Sequence, residues 1–222
     1  MCNGVKALFL KLIYYLYNLI LKGRITMNIA QKYVEGLKKA YFDNGEEQKW
    51  EHFEEISQGV CSEDIEKLRG LYPDIPDSLI QLLKIVDGTY WREYAGEKIA
   101  FYFLGSDLEE YPYYLLSAKQ MTDKEDFEWL TDYINREFGD DIEIDERIID
   151  NADKMCWLHF SDCMNNGGTS QLFIDFCPSD KGIKGQIVRF LHDPDEIKVI
   201  ADSFEEYLQM LMDYNYDFII AE

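Results

Sequence analysis

The sequence predicts an α+β fold, and three observations favour that class. From Trp157 to Tyr207, short apolar runs alternate with loops rich in Gly, Asp and Asn, which predicts a β-meander followed by a helix. From Ser62 to Gly88, apolar residues recur three and four positions apart, which predicts a pair of helices. Hydrophobic residues make up 47% of the 222 residues, enough for a packed core, so global disorder is excluded.

The helical segments carry local start and stop signals. Asn28 caps the first, Ser62 and Pro76 begin the helix pair, and Thr122 and Ser203 begin two later helices with a glutamate three residues on. Helices are therefore predicted for 28–42, for the acidic and aromatic segment 46–56, for the pair, after Thr122 and after Ser203. A tail follows from Phe218 to the last residue.

The strands are predicted from apolar runs that are bounded by turn residues. They cover 99–104, 111–116, 155–160, 171–176, 186–191 and 197–201. Pro112 weakens the second of them because proline cannot donate to a ladder. The acidic segment 140–150 is predicted to be exposed, either as a loop or as a short edge element.

The charge of the chain is strongly and unevenly negative. Lys and Arg number 22 against 43 Asp and Glu, for a net charge of −21. Residues 1–26 contain four bases and no acid, so 18 bases face 43 acids in the remainder, a net charge of −25. Such a surface repels a nucleic-acid backbone and attracts a basic protein. The alternative is that the charge serves only solubility.

Residues 1–26 are a basic, apolar extension, and 27–222 are predicted to be a single domain with its core at 62–212. Three interpretations of the extension are open: an upstream start with Met27 as the true one, a membrane-associated helix at 5–21, or a signal peptide. The five cysteines are odd in number and lack CxxC spacing, which predicts free thiols and a cytoplasmic location.

Catalytic and metal chemistry finds little support in the residue pattern. His159 with Asp162 and His192 with Asp193 could contribute metal ligands, and Cys163 could serve as a nucleophile. None of these pairs has the spacing of a known site, so strand ends and turns explain them better. We predict no cofactor, no metal and no enzymatic activity. A hydrolase that uses His159, His192 and Asp175 is kept as the rival hypothesis.

A protein-contact surface is the more favoured kind of site. Tyr90, Trp91 and Tyr94 cluster in a predicted loop after a helix and are expected to be exposed. They could anchor a partner, with Trp91 as the predicted contact residue, or they could pack over the sheet edge. The acidic contact residues that we predict are Glu109, Glu110, Asp140, Asp141 and Glu143.

From Ser62 to about residue 212, the chain resembles the SUKH superfamily, the group named for the fungal Smi/Knr cell-wall synthesis regulators. No single motif is specific, but five occur in the right order: IPDSLIQLLKIVDG at 75–88, Trp157 to Phe160, Gly167 to Asp175, Gly185 to Asp193, and Ala201 to Leu208. The chain departs from the family at Thr169-Ser170 and in a long insertion at 117–150. Both departures are expected in loops or surface helices.

The resemblance implies a central mixed or antiparallel sheet of about five to six strands with helices packed against it. It implies no enzymatic activity. It also implies structural roles for five residues of the motifs: Trp157, Gly168, Asp175, Gly185 and Phe204.

Two functions follow from the resemblance. Bacterial members resemble immunity proteins that bind and neutralise polymorphic toxins, many of them nucleases, and an acidic chain suits a basic toxin as its partner. Fungal members act as regulatory interaction proteins, which makes a regulatory scaffold the alternative. We expect a monomer or a weak dimer, with membrane contact only through residues 5–21 if that segment is genuine.

Overall fold

The computed structural model describes residues 27–108, 111–123, 125–138, 142–163 and 170–219. Six of its strands form one mixed sheet: β3 (Tyr113–Leu115), β4 (Glu143–Ile144), β5 (Trp157–Cys163), β6 (Ser170–Asp175), β7 (Gln186–Leu191) and β8 (Glu196–Ala201). Their order in the sheet is β3-β5-β6-β7-β8-β4. Neighbouring strands are antiparallel except β4 and β8, which are parallel. This sheet confirms the predicted α+β class and the predicted number of strands.

The meander from β5 to β8 follows the sequence pattern closely because its apolar runs and turn residues are local signals. β7 has the predicted bounds, and β6 and β8 begin one residue earlier than predicted. Every residue of β6 and β7 is buried, so the centre of the sheet is covered on both faces.

Helices cover the first face of the sheet and enclose the larger core. They are α1 (Ile29–Asp43), α2 (Glu47–Ile56), α3 (Ser62–Leu71), α4 (Asp77–Leu83), α5 (Ala118–Met121) and α7 (Phe204–Asp213). Asn28 caps α1 through a capping box with Gln31, as the sequence indicates. The N-cap of α3 is Cys61, so the predicted cap Ser62 is instead the first helical residue. None of the described helices is long and apolar enough to cross a membrane.

The prediction of a strand at 99–104 is largely wrong. β2 (Glu97–Ile99) reaches only the first residue of the segment, and Leu104 at its end forms an isolated antiparallel bridge with Tyr113. Between them, Phe101 and Phe103 are buried against α1 and α2. The hydroxyls of Tyr33 and Tyr41 donate to the carbonyls of Phe103 and Tyr102 at 2.6 and 2.7 Å. Tyrosine side chains thus satisfy carbonyls that a neighbouring strand would otherwise bind.

The second face of the sheet is covered by the insertion at 117–150, which was expected to consist of loops or surface helices. Leu130 and Ile134 of α6 (Glu125–Ile134) and Ile148 form a smaller core with Trp157 and Phe173. The predicted exposed segment 140–150 is therefore mixed: Glu143 and Glu146 are exposed and Ile148 is buried. Its short edge element is β4, which was one of the two predicted forms.

The segment that begins at Phe218 was predicted to be a tail, but its first residue is packed into the core. Phe218 is 1% exposed and belongs to the larger core. Its ring lies directly over Gly105, where a Cβ atom would overlap the ring. Burial of an aromatic side chain against a glycine 113 positions earlier has no local signal in the sequence.

Candidate functional site

The residues of the rival hydrolase hypothesis make separate sets of polar contacts. His159 is buried and donates from Nε2 to the Ser161 carbonyl at 3.1 Å, with the Asp162 carboxylate at 3.4 Å. His192 Nδ1 lies 2.6 Å from the Asp195 carboxylate. In the part of the chain that the structure describes, no group of three or more His, Cys, Asp or Glu side chains is placed to hold a metal ion.

Asp175 is the last residue of β6, and its side chain makes buried hydrogen bonds to neighbouring segments. Its carboxylate accepts from the Cys177 amide at 2.8 Å and from Gln186 Nε2 at 3.0 Å. The Gly185 amide donates to the Asp175 carbonyl at 2.7 Å, and Gly185 has a φ of 91°, which favours glycine. Burial raises the pKa of Asp175, against the effect of its hydrogen bonds.

Gln186 extends this network to the loop and to the insertion. Its side-chain Nε2 donates to the Arg147 backbone carbonyl at 3.1 Å, and its side-chain Oε1 accepts from the Ile183 backbone amide at 3.0 Å. Trp157 lies opposite Asp175 in the β5–β6 ladder. Three motif residues, Trp157, Asp175 and Gly185, are thus adjacent in space, and Phe204 is buried in the larger core.

A hairpin outside the main sheet carries the exposed Trp91. Its strands are β1 (Arg92–Tyr94) and β2 (Glu97–Ile99), joined by Ala95 and Gly96 with φ values of 52° and 86°. Positive φ at both positions is typical of a type I′ turn, where Asn, Asp or Gly is usual at the first. Sequence analysis missed the hairpin because Ala-Gly is a weak turn signal; the alternation of Arg92, Tyr94 and Ile99 was the available clue.

The inner face of the hairpin is fixed to the body of the protein. The Tyr94 hydroxyl donates to the Gly88 carbonyl at 2.8 Å, and burial raises its pKa. Arg92 donates to the buried Asp87 carboxylate at 2.8 Å, which also accepts from the Ala118 amide at 2.9 Å. Burial raises the pKa of Asp87, although both of these donors act in the opposite direction.

The outer face of the hairpin is open. Trp91 is 56% exposed, and its only described ring contact with a cation is Lys98, 5.7 Å from the ring centroid. Tyr94 is 4% exposed and Tyr90 is half-buried, so the predicted aromatic cluster presents one of its three rings. Two clefts flank the hairpin, with volumes of about 310 and 210 Å³.

The predicted acidic contact residues are only partly described. Glu109, Glu110, Asp140, Asp141 and the motif residue Gly168 lie outside the described residues. Glu143 is exposed on β4, at one edge of the sheet, whereas the Thr89 amide, two residues before Trp91, donates to Leu115 of β3, at the other edge. Five strand spacings separate these edges, roughly 24 Å. Glu143 and Trp91 therefore do not share one small surface.

The fold and its surface define an α+β domain built around a six-stranded mixed sheet, with an anchored hairpin as its most distinctive exposed feature. A model of the SMI1 / KNR4 family (SUKH-1) matches residues 59–210, and the chain belongs to that family. Membership indicates a role in protein–protein interaction. No curated protein matches the chain significantly.

Proposed function

We propose that this protein is a non-enzymatic immunity protein that binds a cognate basic toxin and neutralises it. The observation that carries the proposal is the excess of acids in a member of this family: 43 Asp and Glu against 22 Lys and Arg. A toxin that acts on nucleic acid needs a basic active surface for phosphates. Carboxylates on an inhibitor can occupy that surface in place of the phosphates.

The described ion pairs support this interpretation because they neutralise many of the bases. Lys38 pairs with Glu54, Lys181 with Glu146 and Lys184 with Asp74. Within the described residues, Glu93 and Glu205 are exposed and have no ion pair. After Lys198 the chain contains no further Lys or Arg, and α7 exposes three acids: Glu205, Glu206 and Asp213. The potential that reaches a partner is therefore negative, which speeds the capture of a basic protein.

Growth rescue tests the proposal. Basic toxin domains from the genes that neighbour this one are tested as candidates, each expressed in a host cell with and without the full chain. We expect the full chain to restore growth. The variant with His159→Ala and His192→Ala should restore it equally, because the proposed mechanism needs no catalytic histidine. If only the wild type protects the cell, the hydrolase hypothesis gains support, and if neither protects it, the proposal is wrong.

The regulatory alternative predicts a different outcome. A regulatory scaffold would purify from its own cells with stable partners that are not toxins, and it would leave toxin-expressing cells unprotected. Quantitative affinity purification with mass spectrometry, run beside the rescue assay, separates the two functions.

A further inference from the structure

We infer that the hairpin surface is the docking site for a basic protein segment in which an apolar side chain neighbours a Lys or Arg. The hairpin surface comprises the outer face of the hairpin, with Trp91, Glu93 and Lys98, and the two clefts beside it. The inference deepens the proposed function by locating its contact surface. The identity of the partner as a toxin still rests on the proposed function.

The apolar part of the site is the Trp91 indole. Trp91 is more than half exposed, whereas Trp50 and Trp157 are buried. It borders the cleft of about 310 Å³, whose other lining residues are polar or charged: Arg92, Glu93, Ser117, Lys119, Gln120 and Asp123. Tryptophan is enriched among the side chains that dominate binding energy at protein interfaces. An apolar side chain of a partner can therefore pack on the indole, beside polar groups of the cleft.

The cationic half is the smaller cleft on the other side of the hairpin. Asp64, Asp87 and Glu93 line its volume of about 210 Å³ together with Arg92. Asp64 is already paired with Lys67 at 3.1 Å. Arg92 is paired with Asp87 at 2.8 Å. Glu93 is exposed and has no ion pair with any residue in the described ranges. The remaining carboxylate charge favours a Lys or Arg side chain.

The site is preorganised in the unbound chain. Besides the Tyr94 and Arg92 anchors, Thr89 ties the base of the hairpin to β3: its amide donates to the Leu115 carbonyl at 2.7 Å, and its hydroxyl accepts from the Leu115 amide at 3.0 Å. His52 of α2 lies 2.7 Å from the Glu97 carboxylate of β2. A partner therefore binds without the entropic cost of ordering the hairpin.

Lys98 gives the inference a sharp test because it opposes a basic partner. Its ammonium lies over the Trp91 ring, so it repels a second cation and covers the apolar face. Removing it should strengthen the binding of a basic segment, and removing Trp91 should weaken it. Glu93→Lys and Glu205→Lys form a matched pair, since each reverses one exposed glutamate, on the hairpin and on α7 respectively.

The experiment is a nuclear magnetic resonance titration of the full chain with two peptides of equal charge. One alternates lysine with leucine and the other alternates lysine with serine. We expect the leucine peptide to shift the amide signals of the hairpin and the two clefts and to bind several-fold more tightly than the serine peptide. Trp91→Ala should weaken its binding roughly tenfold, as for an interface anchor. Lys98→Ala should tighten it, and Glu205→Lys should change it far less than Glu93→Lys.

The inference is overturned if both peptides bind alike, if the shifts centre on α7, or if Trp91→Ala has no effect. Spectra of each variant without peptide show whether it is folded, and Trp91→Tyr provides a milder change at the same site. Rescue of growth is measured separately. A wild type that binds the leucine peptide at the hairpin but never protects cells would remove the immunity function and leave the docking site standing.

Discussion

Replacing Asp175 distinguishes a structural carboxylate from a catalytic one. Asp175 is fully buried, and its carboxylate accepts hydrogen bonds from the Cys177 amide and from Gln186 Nε2. The Trp157 side chain also acts to lower the pKa of this carboxyl. Asp175→Ala removes both bonds and leaves a buried Gln186 N–H without a partner. Each bond to a charged group contributes about 1.5–3 kcal/mol, which gives a gross loss of about 3–6 kcal/mol.

The loss is partly offset because the carboxylate is itself costly to bury. The raised pKa of Asp175 means that burial disfavours its charged form in the folded chain relative to the unfolded chain. Stability therefore falls as pH rises from the unfolded pKa through the folded pKa, and Asp175→Ala removes that dependence. The expected net destabilisation at neutral pH is about 2–4 kcal/mol. Asp175→Asn, which keeps the bond from Cys177, should lose about half as much.

Urea unfolding, followed by tryptophan fluorescence and circular dichroism, measures these differences. A structural role predicts that protection against the toxin at low temperature survives in Asp175→Asn, because the folded population is still large. The reasoning is refuted if Asp175→Ala unfolds within about 0.5 kcal/mol of the wild type, the range of an ordinary surface change. It is also refuted if Asp175→Asn is as stable as the wild type but gives no protection.

Three further predictions concern stability. Gly105→Ala should lower the free energy of unfolding in urea by about 1–3 kcal/mol, because the added Cβ would overlap the Phe218 ring. In a chain that already carries Phe218→Ala, the same Gly105→Ala change should cost much less. An equal cost in both backgrounds would contradict this contact. Asp107→Asn should lower stability at pH 7 and flatten the acid limb of unfolding. Burial acts against the charged form of Asp107, but Arg189 and Lys198 outweigh it and lower its pKa, so its contribution is present above the unfolded pKa and is lost as pH falls through the folded one; an unchanged acid limb would show that the pair is not formed. Asn28→Ala should cost about 1 kcal/mol through the lost cap of α1, and Asn28→Ser, which can still cap, should recover most of it.

The sequence predicts the elements whose signals are local. β7 and the terminal helix have their predicted starts because apolar runs, turn residues and a Ser203 cap lie within a few positions of one another. α1 follows for the same reason, since its capping box and its buried Tyr33 and Leu37 are set by spacing alone. β7 and the terminal helix also carry two of the family motifs, so the fold could be predicted before the structure.

Elements whose structure depends on residues far away in the chain could not be predicted from the sequence. The segment 99–104 has the composition of a strand, but Tyr33 and Tyr41 occupy its carbonyls from α1, about 60–70 positions away. The insertion at 117–150 looked like surface because its acids hide the apolar Ile148, which packs on the second face of the sheet. A net acidic composition gives no information on which of its few isoleucines is buried.

The candidate site was predictable only in part. Tyr90, Trp91 and Tyr94 were predicted to be exposed together because they follow a helix end, and this is correct for Trp91 but wrong for the buried Tyr94 and the half-buried Tyr90. The hairpin that presents Trp91 was missed, and with it the burial of Tyr94 and the pairing of Arg92 with Asp87. The clefts arise from the packing of the hairpin beside α3 and α5, which no local pattern encodes.

Binding of the purified full chain to a candidate basic toxin domain, the one that gives growth rescue, tests the central claim most directly. Surface plasmon resonance would measure the association and dissociation rates over a range of salt concentrations, with toxin activity assayed in parallel. We expect a stable complex in which the toxin is inactive. The association rate should fall steeply as the salt concentration rises, because the chain's net charge of −21 attracts a basic partner electrostatically. Absence of a complex at micromolar concentrations, or a complex in which the toxin stays fully active, would contradict it.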